Sequence, residues 1–331
     1  MTEKENYLIA VKGGVPEWVP IYWDACTWFA PECIAAPVIT GKPKDIYGIP
    51  WSVGVNGAIP TPNAFIMEEI SEWREKITIP FELLDEFDWE ASAAKHKANL
   101  DPNKSVALHV HSVINILVNA MGFENALIAL AEDPEEVYTF FDTLSRFQEI
   151  IVERSLKYYD FIDIFNITDD VANAKDLFMS PEAYMELIHP FHKRQIDVAL
   201  NTRPDILVEM HCCGKCDVLI DQWVEDGVTI WQPAQTMNDL EGIQKKYGNK
   251  LVINGAWDSS GLPSYASTTE EQVRQLTRDT IDKFGKNGAY IFWDGGAVGN
   301  DASLAQKIAW DQDEARKYGA NYYERLRNRE I

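Results

Sequence analysis

The chain has few basic residues for its length. It carries 30 lysine and arginine residues against 52 aspartate and glutamate residues, which gives a formal net charge of −22. Because phosphate backbones are bound by clustered lysine and arginine, this balance argues against a nucleic-acid partner. The sequence also lacks a run of 18 apolar residues, and its first residues lack the apolar stretch of a signal peptide. We therefore predict a protein that binds neither nucleic acid nor membrane.

Cysteine is scarce too, with five in 331 residues. An odd number of cysteines without a secretion signal predicts reduced thiols and a cytoplasmic protein. Three of the five, together with His211, lie in "VEMHCCGKCD" at residues 208–217. On a strand alternate residues share a face, so Glu209, His211 and Cys213 are expected to project together. His-x-Cys on one face can bind zinc, but a buried strand end with inert thiols would have the same sequence.

Apolar runs typical of buried strands alternate with amphipathic stretches along the chain. The runs cover residues 18–25, 105–112, 161–170, 205–213, 228–234, 250–258 and 289–296. This alternation predicts a single α/β domain over residues 1–331, a parallel sheet closed as a (β/α)8 TIM-type barrel. An open doubly wound sheet is the alternative, but no Gly-x-Gly-x-x-Gly follows a predicted strand. Residues 26–104 are too long for an ordinary connection, and we interpret them as a helical insertion that caps the barrel mouth.

The residues that end the predicted strands are candidates for a functional site, because barrel enzymes place their active sites at the C-terminal ends of the strands. Aspartates there could orient a substrate or handle protons: Asp24, Asp169, Asp170 and Asp294. Tryptophans there could line a pocket for a flat apolar ligand: Trp23, Trp231, Trp257 and Trp293. For any one of these residues the alternative is structural, as a helix cap or as core packing.

Longer motifs of the chain are similar to a known superfamily. "ITDDVANAKDLFMSPEAYMELIHPFHKRQI" and "MHCCGKCDVLIDQWVEDGVTIWQPAQ" resemble the uroporphyrinogen decarboxylase superfamily in order and spacing, over roughly Gly122 to the C-terminus. The resemblance implies a distorted (β/α)8 barrel and one of two activities. One branch decarboxylates a porphyrinogen with eight carboxylates, which it holds with arginines of a basic N-terminal motif. The other moves methyl groups to or from corrinoid proteins, usually with zinc. Arg74 is the only arginine among the first 145 residues here, and this scarcity favours the methyltransferase branch.

Within the methyltransferase branch, the resemblance implies one of two sets of zinc ligands. Thiol-methylating enzymes use His-x-Cys, here His211 and Cys213, with a distant cysteine. Where that cysteine should fall, the chain has Gly295, Gly296 and Ala297. Ether-cleaving methyltransferases of the veratrole type instead carry the motif Glu-x14-Glu-x20-His. The residues with that spacing in this chain are Glu75, Glu90 and His111.

The resemblance thus implies a corrinoid-dependent O-demethylase. It would pass the methyl group of an aryl methyl ether to Co(I) of a separate corrinoid protein, with zinc as Lewis acid on the ether oxygen. Cobalamin would be carried by that partner. Glu75, Glu90 and His111 are the first-choice zinc ligands, and His211 and Cys213 are the second choice. The alternatives are a uroporphyrinogen decarboxylase, a thiol-methylating corrinoid methyltransferase and a non-catalytic corrinoid-binding module.

Overall fold

The strands of the protein lie close to most of the predicted positions. The computed structural model describes residues 1–35, 41–54, 57–295 and 302–328, so Gly296 and Ala297 lie outside the described residues. In these ranges the strands are β1 (Cys26–Phe29), β2 (Trp51–Gly54), β3 (Gly57–Pro60), β4 (Ser105–His111), β5 (Ile164–Thr168), β6 (Leu207–His211), β7 (Ile230–Ala234), β8 (Val252–Ala256) and β9 (Tyr290–Trp293). Each apolar run predicted from residue 105 onward therefore contains one strand.

The main sheet is parallel and curls on itself. Its order is β1-β4-β5-β6-β7-β8-β9, and β2 and β3 form a separate antiparallel hairpin. The backbone N–H of Phe292 on β9 donates to the carbonyl of Pro20 at 2.9 Å, and Ile21 forms an isolated parallel bridge with Phe292. The last strand thus contacts the segment that leads into β1. In the described residues the sheet has seven strands, so the α/β fold with a curled parallel sheet is confirmed and a full eight-stranded barrel is not.

The first predicted strand, at residues 18–25, is also wrong in position. Tyr22–Ala25 form one helical turn, because the N–H groups of Asp24 and Ala25 both donate to the carbonyl of Ile21 at 3.1 Å. The strand begins only at Cys26, where the predicted insertion was expected to start. A short apolar run fits a strand or a helical turn equally well, so its composition could not decide between them.

The α-helices that follow the parallel strands cover the outside of the sheet, and the described residues form fifteen α-helices in all. They are α1 (Glu3–Val11), α2 (Tyr22–Ala25), α3 (Trp73–Lys76), α4 (Phe81–Glu86), α5 (Trp89–Lys97), α6 (Val113–Met121), α7 (Phe123–Glu132), α8 (Pro134–Tyr158), α9 (Pro181–Leu187), α10 (His189–Thr202), α11 (Ile220–Asp226), α12 (Leu240–Tyr247), α13 (Glu270–Phe284), α14 (Ala302–Gly319) and α15 (Tyr322–Arg327). Local signals explain several starts. Ser180 caps α9 ahead of Pro181, and Thr269 forms a capping box with Gln272 of α13.

Among the described helices, none is by itself long and apolar enough to cross a bilayer. The pair α6 and α7 reaches the required length and composition only when taken together across a bend of 117°.

The space enclosed by the curled sheet is layered from apolar to polar. At the lower end Tyr7, Ala10 and Val11 of α1 pack with small and branched side chains of the sheet, which are Ala107, Ile164, Ile230, Val252 and Ile291. Two residues further along four of these strands, the alternation of side chains brings His109, Asn166, Gln232 and Asn254 to the same face. The interior therefore presents polar groups toward the C-terminal ends of the strands.

Candidate active site

A cavity of about 750 Å³ lies at the C-terminal ends of β4, β5 and β6. The segment between β1 and β4 contributes part of its wall, with Ile34, Asp45, Ile46, Tyr47, Trp51 and Pro60. Most of the lining is apolar, and the polar groups are concentrated near the strand ends: His109, His111, Asn115, Asn119, Thr168, Asp170 and His211. No lysine or arginine occurs among the described residues that line it. The cavity therefore suits a neutral or cationic molecule with a large apolar part.

Two histidines of β4 face each other at the base of this cavity. Nε2 of His109 lies 3.2 Å from Nε2 of His111, and the His109 ring stacks on the indole of Trp28 with ring centroids 4.4 Å apart. Burial, together with the neighbouring imidazoles, lowers the pKa of both histidines below the usual value. They are therefore neutral near pH 7, and one Nε2 must donate to the other.

Glu209 of β6 lies in the same row of the sheet as Asn166 and His109 and is fully buried. Its Oε2 accepts hydrogen bonds from Nδ2 of Asn166 at 2.7 Å and from Nε2 of Gln232 at 3.2 Å. The hydroxyl of Tyr22 lies 3.3 Å from the same oxygen. Burial raises the pKa of Glu209 to about 7, although these hydrogen bonds oppose the shift. Sequence reasoning placed Glu209 on the same face as His211 but gave it no function.

A second group of polar side chains could hold a metal ion. Asp170, His211 and Cys213 offer ligand atoms that all lie within 4.8 Å of one another. Nε2 of His211 is 3.8 Å from Sγ of Cys213, and a carboxylate oxygen of Asp170 accepts the Cys213 backbone N–H at 2.8 Å. Burial, and then the Asp170 charge, raise the pKa of the Cys213 thiol, so without a cation nearby the sulfur keeps its proton. One carboxylate, one imidazole and one thiolate fit a catalytic zinc site with an open fourth position.

The ligand set Glu75, Glu90 and His111 is not brought together. Glu75 on α3 and Glu90 on α5 are exposed, and of the three only His111 lines the cavity. Both short helices turn a tryptophan inward, Trp73 and Trp89. Each glutamate follows its tryptophan by one or two residues, which turns it away from the buried face. The spacing match in the sequence therefore does not correspond to a cluster in space.

The four candidate aspartates have different surroundings. Asp24 forms a two-point ion pair with Arg316 at 2.7 Å, away from the cavity. Asp169 accepts from His192 at 2.8 Å and from the backbone N–H of Asn115 at 2.9 Å, so it caps α6. Asp294 accepts from Gln312 at 3.0 Å. Only Asp170 lines the cavity.

None of the four candidate tryptophans lines the cavity. Trp231 and Trp257 belong to the core between sheet and helices, because Gln232, the neighbour of Trp231, already faces the enclosed space. Trp293 faces that space but packs against Tyr22 at a ring distance of 5.1 Å. Trp23 is 37% exposed.

Two other tryptophans line the cavity instead, Trp28 and Trp51. Trp28 donates through its Nε1 to the Tyr22 hydroxyl at 2.6 Å, and Trp51 donates through its Nε1 to Asp45 at 2.9 Å. These bonds fix both ring planes. Trp28 lies on β1, so a prediction that placed β1 correctly would have found it. Trp51 lies in the hairpin of β2 and β3, and no local sequence signal indicates that this hairpin lies over the cavity.

Comparison with known proteins bears on the fold and the family of the chain. The family model described as uroporphyrinogen decarboxylase (URO-D) matches residues 43–306. The solved structure of a methyltransferase from Methanosarcina mazei superposes with a TM-score of 0.60 at 12% identity, over 95% of this chain and 99% of that chain. The native xylanase10C from Cellvibrio japonicus, at 12% identity over 69% of this chain and 55% of that chain, reaches only 0.37. No curated protein matches the chain.

Proposed function

The chain belongs to the uroporphyrinogen decarboxylase family, and within that family we propose that its activity is methyl transfer rather than decarboxylation. The substrate would be a small aryl methyl ether, and the methyl acceptor a corrinoid carried by a separate protein. The observation that carries this proposal is the group Asp170, His211 and Cys213 at the edge of a largely apolar cavity. A metal-ligand group beside an apolar pocket suits an ether oxygen attached to a flat ring.

The charge of the cavity argues against a porphyrinogen. A substrate with eight carboxylates needs arginine or lysine side chains to hold them. The described lining instead includes two carboxylates, Asp45 and Asp170, and no lysine or arginine. Binding such a polyanion there would bring like charges together in a partly buried space, which is unfavourable.

The proposed ligand set replaces the one preferred from the sequence. Asp170, His211 and Cys213 would hold the zinc, with Asp170 taking the place of the distant cysteine of thiol-methylating enzymes. A zinc ion held there would supply a Lewis acid for the ether oxygen and so stabilise the phenolate that leaves. The ring of the substrate would lie against the indoles of Trp28 and Trp51.

Asn119 would hold the far end of the substrate. It lies one helical turn beyond Asn115 on α6 and lines the cavity, and its amide has no hydrogen-bond partner among the described residues. The rise of one turn, about 5.4 Å, is comparable with the span of a benzene ring between opposite substituent oxygens. A hydroxyl or second methoxy group would therefore meet this amide.

The test uses zinc-loaded protein, 1,4-dimethoxybenzene and free cob(I)alamin kept reduced by a chemical reductant. We expect loss of the cob(I)alamin absorbance and release of one phenol for each methyl group transferred, and neither after chelation of the metal. Incubation with uroporphyrinogen is the parallel reaction. Decarboxylation of that substrate, or release of phenol that survives removal of the metal, would refute the proposal.

A further inference from the structure

The carboxylate of Glu209 is the centre of a hydrogen-bond network. One branch ends at His211, in the proposed metal site, and the other ends at His109 and His111, which line the cavity. The network spans four neighbouring strands, from β4 to β7, and on one side Asn166 is the register partner of both His109 and Glu209. On the other side, Gln232 is the register partner of His211. Glu209 therefore contacts one amide that reaches toward His109 and another that reaches toward His211.

The Gln232 amide transmits a fixed hydrogen-bond direction to His211. A side-chain amide has donors only on its nitrogen and acceptors only on its oxygen. Since Nε2 of Gln232 donates to Glu209, its Oε1 is the atom that lies 3.0 Å from Nδ1 of His211. An oxygen acceptor requires a proton on that Nδ1. The other ring nitrogen, Nε2, then carries a lone pair and faces the Cys213 sulfur at 3.8 Å.

The Asn166 amide fixes the hydrogen-bond direction at His109 in the same way. Its Nδ2 donates to Glu209, and its Oδ1 lies 3.0 Å from Nδ1 of His109. Nδ1 of His109 therefore holds the proton, and its Nε2 accepts from Nε2–H of His111 at 3.2 Å. Nδ1 of His111, left without a proton, faces the amide nitrogen of Asn115 at 3.4 Å.

We propose that Glu209 is a positioning residue that sets the tautomers of the three cavity histidines. By holding both amides in one orientation, it presents Nε2 of His211 as a lone pair for a metal and places the Nε2 proton on His111. A metal binds only an unprotonated ring nitrogen, so this arrangement prepares His211 as a ligand. It makes His111 a hydrogen-bond donor to His109, which is a different function from the zinc ligand expected from the sequence.

The tautomers can be read directly in metal-free protein labelled with ¹⁵N-histidine, from long-range ¹H–¹⁵N spectra. Wild type should show a protonated Nδ1 for His109 and His211 and a protonated Nε2 for His111. Glu209→Met removes the acceptor and should abolish the Nδ1–H preference of both residues. Glu209→Gln should keep it, because the new carbonyl can take the place of Oε2. Nδ2 of Asn254 now faces Oε1 of Glu209 at 3.5 Å; if the Asn254 amide turns over, its Oδ1, which has no partner in the described structure, can accept from the new amide nitrogen.

Two further variants test the Gln232 branch and the Asn166 branch of the network separately. They also provide the test if Glu209→Met does not fold. Gln232→Met should change the tautomer of His211 alone, and Asn166→Leu should change His109 and His111 alone. Unchanged His211 spectra in both Gln232→Met and Glu209→Met would overturn the proposal, as would an Nε2–H tautomer of His211 in wild type.

Zinc affinity gives a second measurement, which rests on the proposed metal site. Gln232→Met and Glu209→Met should weaken zinc binding about 10–100-fold in a chelator competition, as expected for partners that orient a ligand. Asn166→Leu is the matched control and should change the affinity less than threefold. Wild type that binds no zinc would refute the metal site but not the tautomer assignment, which the spectra decide alone. Equal affinities in wild type and Gln232→Met would overturn the positioning of His211.

Discussion

Replacing Cys213 by alanine tests which residues bind the metal. The Cys213 sulfur lies 3.8 Å from Nε2 of His211, in a group whose ligand atoms all lie within 4.8 Å of one another. Four-ligand structural zinc sites are worth about 10–16 kcal/mol, or about 2.5–4 kcal/mol for each ligand. Loss of one ligand should therefore weaken zinc binding by about 10²–10³-fold, at about 1.4 kcal/mol for each factor of ten.

The assay is zinc per chain after dialysis, followed by a chelator competition that gives the dissociation constant. Glu90→Ala is the matched control, because Glu90 belongs to the alternative ligand set and its side chain is exposed on α5. We expect wild-type affinity for Glu90→Ala and a cooperative unfolding transition for both variants. Zinc that is retained by Cys213→Ala and lost from Glu90→Ala would refute the reasoning and restore Glu75, Glu90 and His111 as the ligands.

Three further predictions concern specificity, the backbone and pH. Asn119→Leu should lower kcat/KM about tenfold for a hydroxylated aryl methyl ether and leave methoxybenzene unchanged, since one neutral hydrogen bond is lost; equal losses for both would contradict the substrate orientation. Gly214→Ala should lower the free energy of unfolding by about 1–3 kcal/mol in a denaturant titration, because φ is +92° and a Cβ would lie 2.7 Å from the backbone of Ala172. Burial, and then Asp294, raise the pKa of Asp311 to about 9. The folded chain then keeps a proton that the unfolded chain releases above about pH 4, so this carboxyl destabilises the fold increasingly from pH 4 toward pH 9. Asp311→Asn should therefore gain stability over wild type at pH 8, by at most about 6 kcal/mol, and much less at pH 4; a gain that is the same at both pH values would contradict this.

The parallel sheet could be predicted because each buried strand leaves a local signal. The runs at residues 161–170 and 205–213 are rich in branched side chains, and β5 and β6 lie within them. The alternation of side chains also holds, since Glu209 and His211 face the enclosed space together. The first strand was misplaced because its four residues follow a helical turn of similar composition.

The candidate residues that lie outside the cavity do so for a common physical reason. A spacing such as Glu-x14-Glu-x20-His counts residues along the chain, but it carries no information on which face of a helix each residue occupies. Glu75 and Glu90 match the count and lie on the exposed faces of their helices. Trp231 ends an apolar run, as a pocket residue would, yet Gln232 beside it takes the inward position and Trp231 packs outside the sheet.

The function of Glu209 depends on strand register, which no local pattern gives. His109, Asn166 and Glu209 form one row across β4, β5 and β6, and His211 pairs with Gln232 across β6 and β7. A shift of one residue between β5 and β6 would turn every side chain of one strand to the opposite face. Glu209 would then leave the amide of Asn166, and His211 would leave the cavity. Apolar packing beneath the site, in which Ile164, Ile230 and Val252 of the strands contact α1, fixes this register. The same packing therefore also determines which histidine nitrogen can bind a metal.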